Sequence, residues 1–334
     1  MSIPYIRKLV SHRAVLATAA GLAASSISFV PLASAQDDFP NRPVRLTVGF
    51  SPGGGIDTVA RIVAQETTKT LPQPIIVENR PGAGGNIAAD SVAKAPADGY
   101  SLHFAAPGSA VINHHLIKPM PYEFKDLTPV TLVGLVPLVV IVPVDSPLKS
   151  LQDLVATARA QPGKLTYGTP GIGTSNHMAT ELFLHSANIK AVHVPYKGPA
   201  ANTDLIAGRL DFIFDAITTA TPFITGGKVR ALAVTTPTRS PMLPDVPPIS
   251  ELGYPNYAAS NWYGVVTRTG TPAPIIDKLN AAMRDAVRQP EVTKRLEAMG
   301  VIVKASSVAE FRQFLDEQHR AIGQLVKDAN IKIE

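Results

Sequence analysis

The sequence predicts an α/β fold with two domains, on the basis of three observations. Short apolar runs of strand character alternate with helical segments from residue 44 onward, which is typical of parallel sheets. About 300 residues remain after a candidate leader, a length that usually means two domains. Two such series precede a stretch of long amphipathic helices, which suggests that the chain builds a second domain and then returns to the first.

The first series covers residues 44–105. Its predicted strands are 44–50, 74–78 and 100–105, and helices are predicted to begin near Asp57 and Asn86. The loops before these helices are rich in glycine and read SPGGGID and NRPGAGGN. Glycine lets the backbone approach a ligand closely, and the free N–H groups of the following helical turn form an uncharged anion site. These loops therefore indicate a binding site for a small acid.

The second series begins near residue 138. The predicted strands are 138–142, 164–167, 191–194, 211–214 and 230–235, with helices beginning near Ser150, Ser175, Ala200 and Ile217. Ser150 lies three residues before Asp153, which is an N-cap arrangement, and the Pro-Gly pair at 162–163 ends that helix.

Amphipathic helices dominate the C-terminal part. One apolar stripe at helical spacing consists of Ile276, Leu279, Met283 and Val287, and a later one of Val308, Phe311, Leu315, Ile322 and Leu325. Ser307 and Glu310 form a capping-box pattern at the start of the second stripe. The segment 301–303 is predicted to add an edge strand.

The first 35 residues have the features of a signal peptide. Arg7, Lys8 and Arg13 precede an apolar stretch at 14–30, and the sequence Ala-Ser-Ala that ends at Ala35 fits a cleavage site. The alternative is a retained membrane anchor, but four hydroxyl side chains interrupt the apolar stretch. Because the chain has 0 cysteines, it has neither a lipid-anchoring cysteine nor disulfides. We expect cleavage after Ala35 and a mature protein that is free in the periplasm.

Charge and composition exclude several classes of partner. Removing 35 of the 334 residues leaves 299, and three of the 31 cations lie in the leader, so 28 cations face 26 acids and the net charge is +2. This charge is too small to argue for nucleic acid. Hydrophobic residues at 45% and charged residues at 17% fit an ordered globular core.

The sequence lacks the usual signals of a cofactor or metal site. The loop SPGGGID has no Lys-Ser/Thr pair after its glycines, and the second glycine loop breaks the dinucleotide-binding spacing. The eight histidines show no metal-binding spacing. We therefore expect no cofactor and no metal.

Five segments of this chain resemble one known family. They read VRLTVGFSPGGGIDTVAR, VENRPGAGGNIAADSVAKAPADGY, YGTPGIGTSNH, HVPYKGPA and PDVPPISELG. Together they are similar to the Bug-type (TctC-like) solute receptors of tripartite tricarboxylate transporters, and they span the mature chain.

The resemblance implies a type II periplasmic binding fold, in which two α/β lobes close on a solute in the cleft between them. It implies a monomeric receptor, not an enzyme, that carries a small organic acid to the membrane subunits of a transporter. The acids that such receptors bind include di- and tricarboxylates, amino acids and aromatic carboxylates. With crossings near Leu135 and Trp262, domain 1 would comprise 36–134 and 262–334, and domain 2 would comprise 135–261.

The candidate site follows from the rule that open α/β sheets bind ligands beyond the carboxyl ends of their strands. Candidate ligand-binding residues in the first lobe are Phe50, Ser51, Gly54, Gly55, Asp57, Thr58, Asn86, Pro107, Gly108 and Ser109. Candidates in the second lobe are Thr169, Pro170, Gly171, Gly173, Thr174, Ser175, His177, Tyr196, Lys197, Gly198 and Asp215. Few cations point into such a cleft, so backbone amides, hydroxyls and bridging waters would anchor the acid.

Three of these candidates have a structural alternative. Asp57 either accepts a ligand amine or an ordered water, or caps its helix and pairs with Arg61 at i+4, and the common helix spacing favours the second role. His177 either contacts the ligand or packs within its helix. Lys197, with Tyr196, either closes over the solute or is a solvated lysine.

Two other functions compete with transport. A Ser175 nucleophile would make the chain a periplasmic hydrolase, although His177 stands where the nucleophile turn needs glycine. A ligand sensor for a signalling receptor is the other alternative. The identity of the acid would be set by positions such as Ser109, Thr169, Thr218 and Asn261.

Trp262 is the only tryptophan. We place it at the second crossing between the lobes, where it would border the cleft and respond to closure. The alternative is burial in the core with no response to ligand.

Overall fold

The computed structural model describes residues 39–196 and 200–328. Within these residues, ten strands are hydrogen-bonded into one connected, curled sheet against which the helices pack. The α/β class predicted from the sequence is confirmed. The predicted leader, 1–35 with cleavage after Ala35, lies outside the described residues and stays a prediction.

Three parallel strands begin the sheet, in the order β2-β1-β3. They are β1 (Val44–Val48), β2 (Ile75–Asn79) and β3 (Ser101–Ala105), joined by helices α1 (Gly55–Thr67) and α2 (Asn86–Ala93). The central strand β1 is almost entirely buried, as expected for a parallel strand covered by helices. These elements form the first lobe, and their order is the one predicted.

A π-helical turn (Gly108–Ile112) and the short helix α3 (Asn113–Leu116) lead into the long strand β4 (Leu127–Pro143). The sequence predicted only residues 138–142 of this strand. The first part contains prolines and Gly134, which are uncommon inside strands, and its pairing shifts register at two irregularities. The strand exists there because a partner strand supplies the hydrogen bonds.

That partner is β9 (Ser260–Arg268), which runs antiparallel between β3 and β4. From Leu127 to Pro137, β4 pairs with β9; from Leu138 onward it pairs with the strands of the second lobe. The two predicted crossings, Leu135 and Trp262, are direct partners in this ladder. The domain limits at 134/135 and 261/262 stay a prediction.

The second lobe alternates helices and strands between β4 and β9. Its elements are α4 (Leu151–Ala160), β5 (Thr166–Thr169), α5 (Ser175–Ala187), β6 (Val192–Pro195), α6 (Ala200–Ile206), β7 (Phe212–Ala216), α7 (Ile217–Thr225) and β8 (Val229–Val234). The strand β5 is parallel to both β6 and β7, and β4 lies antiparallel between β7 and β8. The predicted capping of α4 is confirmed, because Ser150 Oγ accepts a hydrogen bond from Asp153 N at 3.1 Å.

The chain then returns to the first lobe. The last elements are α8 (Ala273–Arg288), α9 (Pro290–Ala298), β10 (Ile302–Val303) and α10 (Val308–Asp328). The two predicted amphipathic helices and the edge strand are confirmed, and β10 pairs antiparallel with β4. The Ser307–Glu310 capping box also forms. Helix α9 was missed because it is short and buries little besides Val292 and Leu296.

Trp262 is fully buried, and the expectation that it borders the cleft is wrong. Its ring makes edge contacts with Phe311 and Phe314 of α10, at centroid distances of 5.6 and 5.7 Å. Successive residues of a strand face opposite sides of a sheet. Asn261 and Tyr263 face the cavity described below, so Trp262 must face α10.

The two phenylalanines that contact Trp262 provide a test of this packing. Phe311 is fully buried and Phe314 is half-buried, although both rings approach Trp262 at the same interplanar angle of 83°. Phe311→Ala should lower the free energy of unfolding by about 3–5 kcal/mol through loss of burial and the cavity left behind. The matched Phe314→Ala should lower the free energy of unfolding by less than half as much. Urea unfolding followed by Trp262 fluorescence measures both losses, and equal losses would contradict this account of the core.

Candidate ligand-binding site

A cavity lies between the two lobes, at the carboxyl ends of β1, β3, β5 and β7. Its volume is about 70 Å³. A single water needs roughly 10–15 Å³ on the same measure, so the cavity has room for a molecule of several non-hydrogen atoms. The residues that line it are Phe50, Ser51, Gly54, Gly55, Ile56, Ala106, Gly108, Pro170, Thr174, Ser175, Asn176, Ala201, Asn202, Ile213, Asp215, Ala216, Thr219, Asn261 and Tyr263.

Four helices begin at this cavity: α1 from the first lobe, and α5, α6 and α7 from the second. The first-turn N–H groups of a helix have no partner within the helix and carry part of its positive dipole. Among the described lining residues there is no lysine, arginine or histidine. The positive potential that the described residues give this cavity therefore comes from backbone dipoles.

Local sequence explains why the starts of α1 and α5 differ. Gly54 precedes α1 and supplies no side-chain cap, so the first-turn N–H groups of α1 stay available. Thr174 caps α5: its Oγ1 accepts a hydrogen bond from His177 N at 3.3 Å and donates one to Gly171 O at 2.8 Å. The cap fixes the loop that leads from β5 into α5, next to the cavity.

Glycines let the two lobes meet backbone to backbone beside the cavity. A Cβ atom on Gly84 would lie 2.7 Å from Ile172 O, and one on Gly108 would lie 2.8 Å from Gly173 O. A Cβ atom on Gly55 would collide with the side chain of Thr218. Any larger residue at these positions would force the lobes apart.

The structure brings nine of the predicted ligand-binding residues to the cavity. They are Phe50, Ser51, Gly54, Gly55, Gly108, Pro170, Thr174, Ser175 and Asp215. Asn261, predicted to influence specificity, also lines it. Sequence reasoning missed Tyr263 and Asn202, among others. Alternation along β9 was the available signal for Tyr263, which lies two residues after Asn261 on the same face.

Several other predicted residues lie behind the cavity wall. In the first lobe, Thr58 Oγ1 donates to Gly54 O, and Ser109 Oγ pairs with the buried His103 ring. Asn86 Oδ1 accepts hydrogen bonds from Asn113 and Tyr122. These side chains hold the loops that line the cavity.

The remaining second-lobe candidates also make contacts within the protein. Thr169 Oγ1 bonds to His193, and the Tyr196 hydroxyl donates to Asp204 at 2.6 Å. Gly171 and Gly173 lie in the loop before α5, both with positive φ. Lys197 and Gly198 lie outside the described residues.

Pro107 faces a different, apolar groove beside the paired strands β4 and β9. Met178 and Leu182 of α5 and Leu325 of α10 also line this groove.

Asp57 pairs with Arg61 at i+4, as the helix spacing favoured, but it does not cap α1, whose N-cap is Gly54. Its carboxylate accepts hydrogen bonds from Gly53 N at 2.9 Å, Arg61 Nε at 3.0 Å and Asn79 Nδ2 at 2.8 Å. Burial alone raises the pKa of this carboxyl, but the bonds from Arg61, Gly53 and Asn79 together lower it below its ordinary 3.8. Asp57 thereby fixes the glycine loop and does not line the cavity.

Two stacked histidines lie under the loop that leads into α5. The rings of His177 and His193 are 4.3 Å apart, and His193 also stacks on Tyr167 at 4.8 Å. Burial lowers the pKa of His177 to about 3 and that of His193 to about 4, so both rings are neutral at pH 7. His177 Nδ1 accepts a hydrogen bond from Gly173 N at 3.4 Å. The Nδ1 atom of His177 is therefore hydrogen-bonded to the loop that precedes its own helix.

Asp215 is the one acidic side chain among the described residues that line the cavity. It is buried at the end of β7, and burial raises its pKa to about 6 although Asn202 and Ala216 N both donate hydrogen bonds to it. The carboxylate is therefore still mainly ionised at neutral pH.

No group of three or more His, Cys, Asp or Glu side chains in residues 39–196 and 200–328 is arranged to hold a metal ion. In the same ranges, no helix is long and apolar enough to cross a membrane.

Comparison with known protein families identifies the chain. The model of the tripartite tricarboxylate transporter family receptor, TctC, matches residues 59–331. The chain belongs to this receptor family. The members of the family are substrate-binding receptors and periplasmic binding proteins, which confirms the resemblance drawn from the sequence motifs.

Curated relatives cover most of the chain. The UPF0065 protein in the tcbD-tcbE intergenic region of Pseudomonas sp. (strain P51) is 38% identical over 295 residues, which are 87% of each chain. Protein BugT of Bordetella pertussis is 34% identical over 301 residues, covering 89% of this chain and 92% of BugT.

Solved structures of similar receptors confirm the two-lobe periplasmic binding fold. Rpa4515 of R. palustris with adipate has a TM-score of 0.85 and 34% identity, over 88% of this chain and 99% of that one. MatC (Rpa3494) from Rhodopseudomonas palustris with bound malate has a TM-score of 0.83 and 33% identity, over 86% of this chain and 100% of that one.

The role of Asp57 in this receptor is tested by Asp57→Asn. The change should lower the free energy of unfolding by about 1–3 kcal/mol at pH 7, because it weakens hydrogen bonds to a buried charge. Since the folded-state pKa is lowered, this contribution is present above pH 3.8 and disappears as the pH falls through the folded-state pKa. Glu66→Gln is the matched control, because Glu66 lies on the same helix, pairs with exposed Lys69 just beyond the end of that helix and should contribute at most about 1 kcal/mol. Denaturant titrations at several pH values measure both, and equal losses would contradict the role of Asp57.

The buried histidines predict that stability falls in acid. The folded-state pKa of His177 is about 3 and its ordinary value is 6.5, so the stabilisation is complete above pH 6.5 and decreases as the pH falls. Between pH 6.5 and 4.5, His177→Gln should reduce this decrease by about 2 kcal/mol. His185→Gln, at an exposed position of the same helix, is the matched control. The measurement is the free energy of unfolding against pH. A wild-type slope in the His177 variant would show that this ring does not titrate as described.

Proposed function

We propose that this receptor captures a small carboxylate between its lobes and presents it to the membrane subunits of a tripartite tricarboxylate transporter. The observation that carries the proposal is the cavity between the lobes, where four helices begin and no described lining residue is a cation. Receptors similar to this chain hold adipate and malate. The chain would act as a periplasmic monomer, after a signal peptide is cleaved following Ala35.

The ligand carboxylate would bind to the first-turn N–H groups and hydroxyls around the cavity. Ser51 and Gly55 would contribute from the first lobe, and Ser175 and Asn176 from the second, with bridging waters completing the site. Backbone donors hold an anion through several modest hydrogen bonds. When the lobes separate, each lobe keeps only its own share of these bonds, and the solute is released.

Catalysis has little support in this geometry. Ser175 was the candidate nucleophile, but the nearby His177 accepts a hydrogen bond from Gly173 N and is stacked on His193. A general base must reach the proton that it removes. The described geometry therefore supports a receptor that binds its solute and releases it unchanged.

Closure of the lobes is tested at Gly55. Gly55→Ala should place a methyl group against Thr218 Oγ1, which lies across the cleft, and so weaken carboxylate binding by at least about 10-fold. Thr218→Ala in the same chain removes the colliding oxygen and should restore most of the affinity. Calorimetric titration with adipate, malate and a panel of other small carboxylates measures binding, and ligand-free melting temperatures control for folding.

Two results would contradict the proposal. Full affinity in a folded Gly55→Ala protein would show that the cleft does not close at this contact. No calorimetric heat and no thermal stabilisation of the wild type by any carboxylate would refute the receptor function itself. A true ligand at 100 times its dissociation constant should add about 2.7 kcal/mol of stability.

A further inference from the structure

The carboxylate of Asp215 has unused hydrogen-bonding capacity at the cavity. Its Oδ2 accepts a bond from Asn202 Nδ2 at 2.9 Å, and its Oδ1 accepts one from Ala216 N at 2.8 Å. An ionised carboxylate has about four acceptor positions. The described residues thus occupy two of them, in a side chain that is 4% exposed and lines the cavity.

Asn202 adds a second free acceptor beside it. Because a carboxylate only accepts hydrogen bonds, Asn202 must turn its amide nitrogen toward Asp215, and its Oδ1 then points away. That oxygen is buried and has no hydrogen-bond partner among the described residues. A buried acceptor without a donor is unfavourable, so this pair favours any solute that supplies a donor.

The described residues that line the cavity include no lysine, arginine or histidine. No cationic side chain among them therefore donates to the free acceptors of Asp215 and Asn202. A second carboxylate brought against Asp215 would meet a like charge in a partly dehydrated site. A hydroxyl would be accepted by the pair, and an ammonium group would in addition neutralise the charge of Asp215.

We propose that the solute is a small carboxylate that also carries a hydroxyl or ammonium donor, and that Asp215 and Asn202 receive that donor. This inference rests on the proposed function. The solute carboxylate then lies toward the starts of α1 and α5, and its donor group lies toward Asp215 at the end of β7. Asp215 and Asn202 are specificity-determining residues in this arrangement.

Acids with matched carbon skeletons test the inference by calorimetry at pH 7.5. Each set contains a plain acid, its hydroxy derivative and its amino derivative: propionate with lactate and alanine, succinate with malate and aspartate, and glutarate with 2-hydroxyglutarate and glutamate. In the set that binds best, one donor-bearing member should bind at least about 10-fold more tightly than the plain acid, because only it pairs with the buried acceptors. Comparing the hydroxy and amino members shows which donor the site selects.

Variants separate this discrimination from general binding. Asp215→Asn has almost the same shape but places an amide nitrogen at the cavity, and it should bring the affinity ratio of donor-bearing to plain acid close to one. Asn202→Ala removes the second acceptor, keeps Asp215 and should reduce the same affinity ratio. This variant provides the test if Asp215→Asn does not fold. Asp285→Asn makes the same chemical change at an exposed position of α8 and should leave the ratio unchanged.

The outcomes distinguish this inference from the function on which it rests. If a plain acid, adipate included, is the tightest ligand, or if Asp215→Asn keeps the wild-type ratio, donor recognition is wrong and carboxylate binding stands. If no carboxylate binds the wild type, both are wrong.

Discussion

The antiparallel pairing of β4 with β9 is the interaction on which the position of the cavity depends. One part of β4 belongs to the sheet of the first lobe and the other to the sheet of the second. The strand ends of both lobes therefore meet at one place. Neighbouring elements pack closely against the two paired strands. A Cβ atom on Gly134 of β4 would lie 2.7 Å from Ile302 O, and one on Gly264 of β9 would collide with the Phe311 ring. Small residues in the two strands thus let β10 and α10 cover them.

The electrostatics of the cavity follow from this arrangement. Helix starts supply partial positive charge without side-chain cations, whereas Asp215, beside the start of α7, supplies a negative charge in the same small space. The electric field in the cavity therefore has a preferred direction, but the cavity has little net positive charge. It would orient a solute with two unlike ends, and surface salt should affect it only modestly, because buried dipoles are screened less than exposed ion pairs.

Features set by local sequence could be predicted, and features set by distant contacts could not. The cap at Ser150 and the glycine loop at Gly54 depend on a few neighbouring residues, so spacing and composition revealed them. The first half of β4 depends on hydrogen bonds from β9, and Pro129 within it obscured the strand pattern. The direction of Trp262 depends on where α10 packs. Asn202 reaches the cavity because α6 packs against β7, where Asp215 accepts its hydrogen bond.

The backbone contacts between the lobes also set a limit on motion. At Gly84 and Gly108, main-chain atoms of one lobe lie against main-chain atoms of the other, and main-chain atoms cannot turn aside as the end of a flexible side chain can. This contact is a mechanical stop. The depth of the cleft at full closure is therefore fixed by the chain, and a solute too large for that depth holds the lobes apart by an angle that increases with its size.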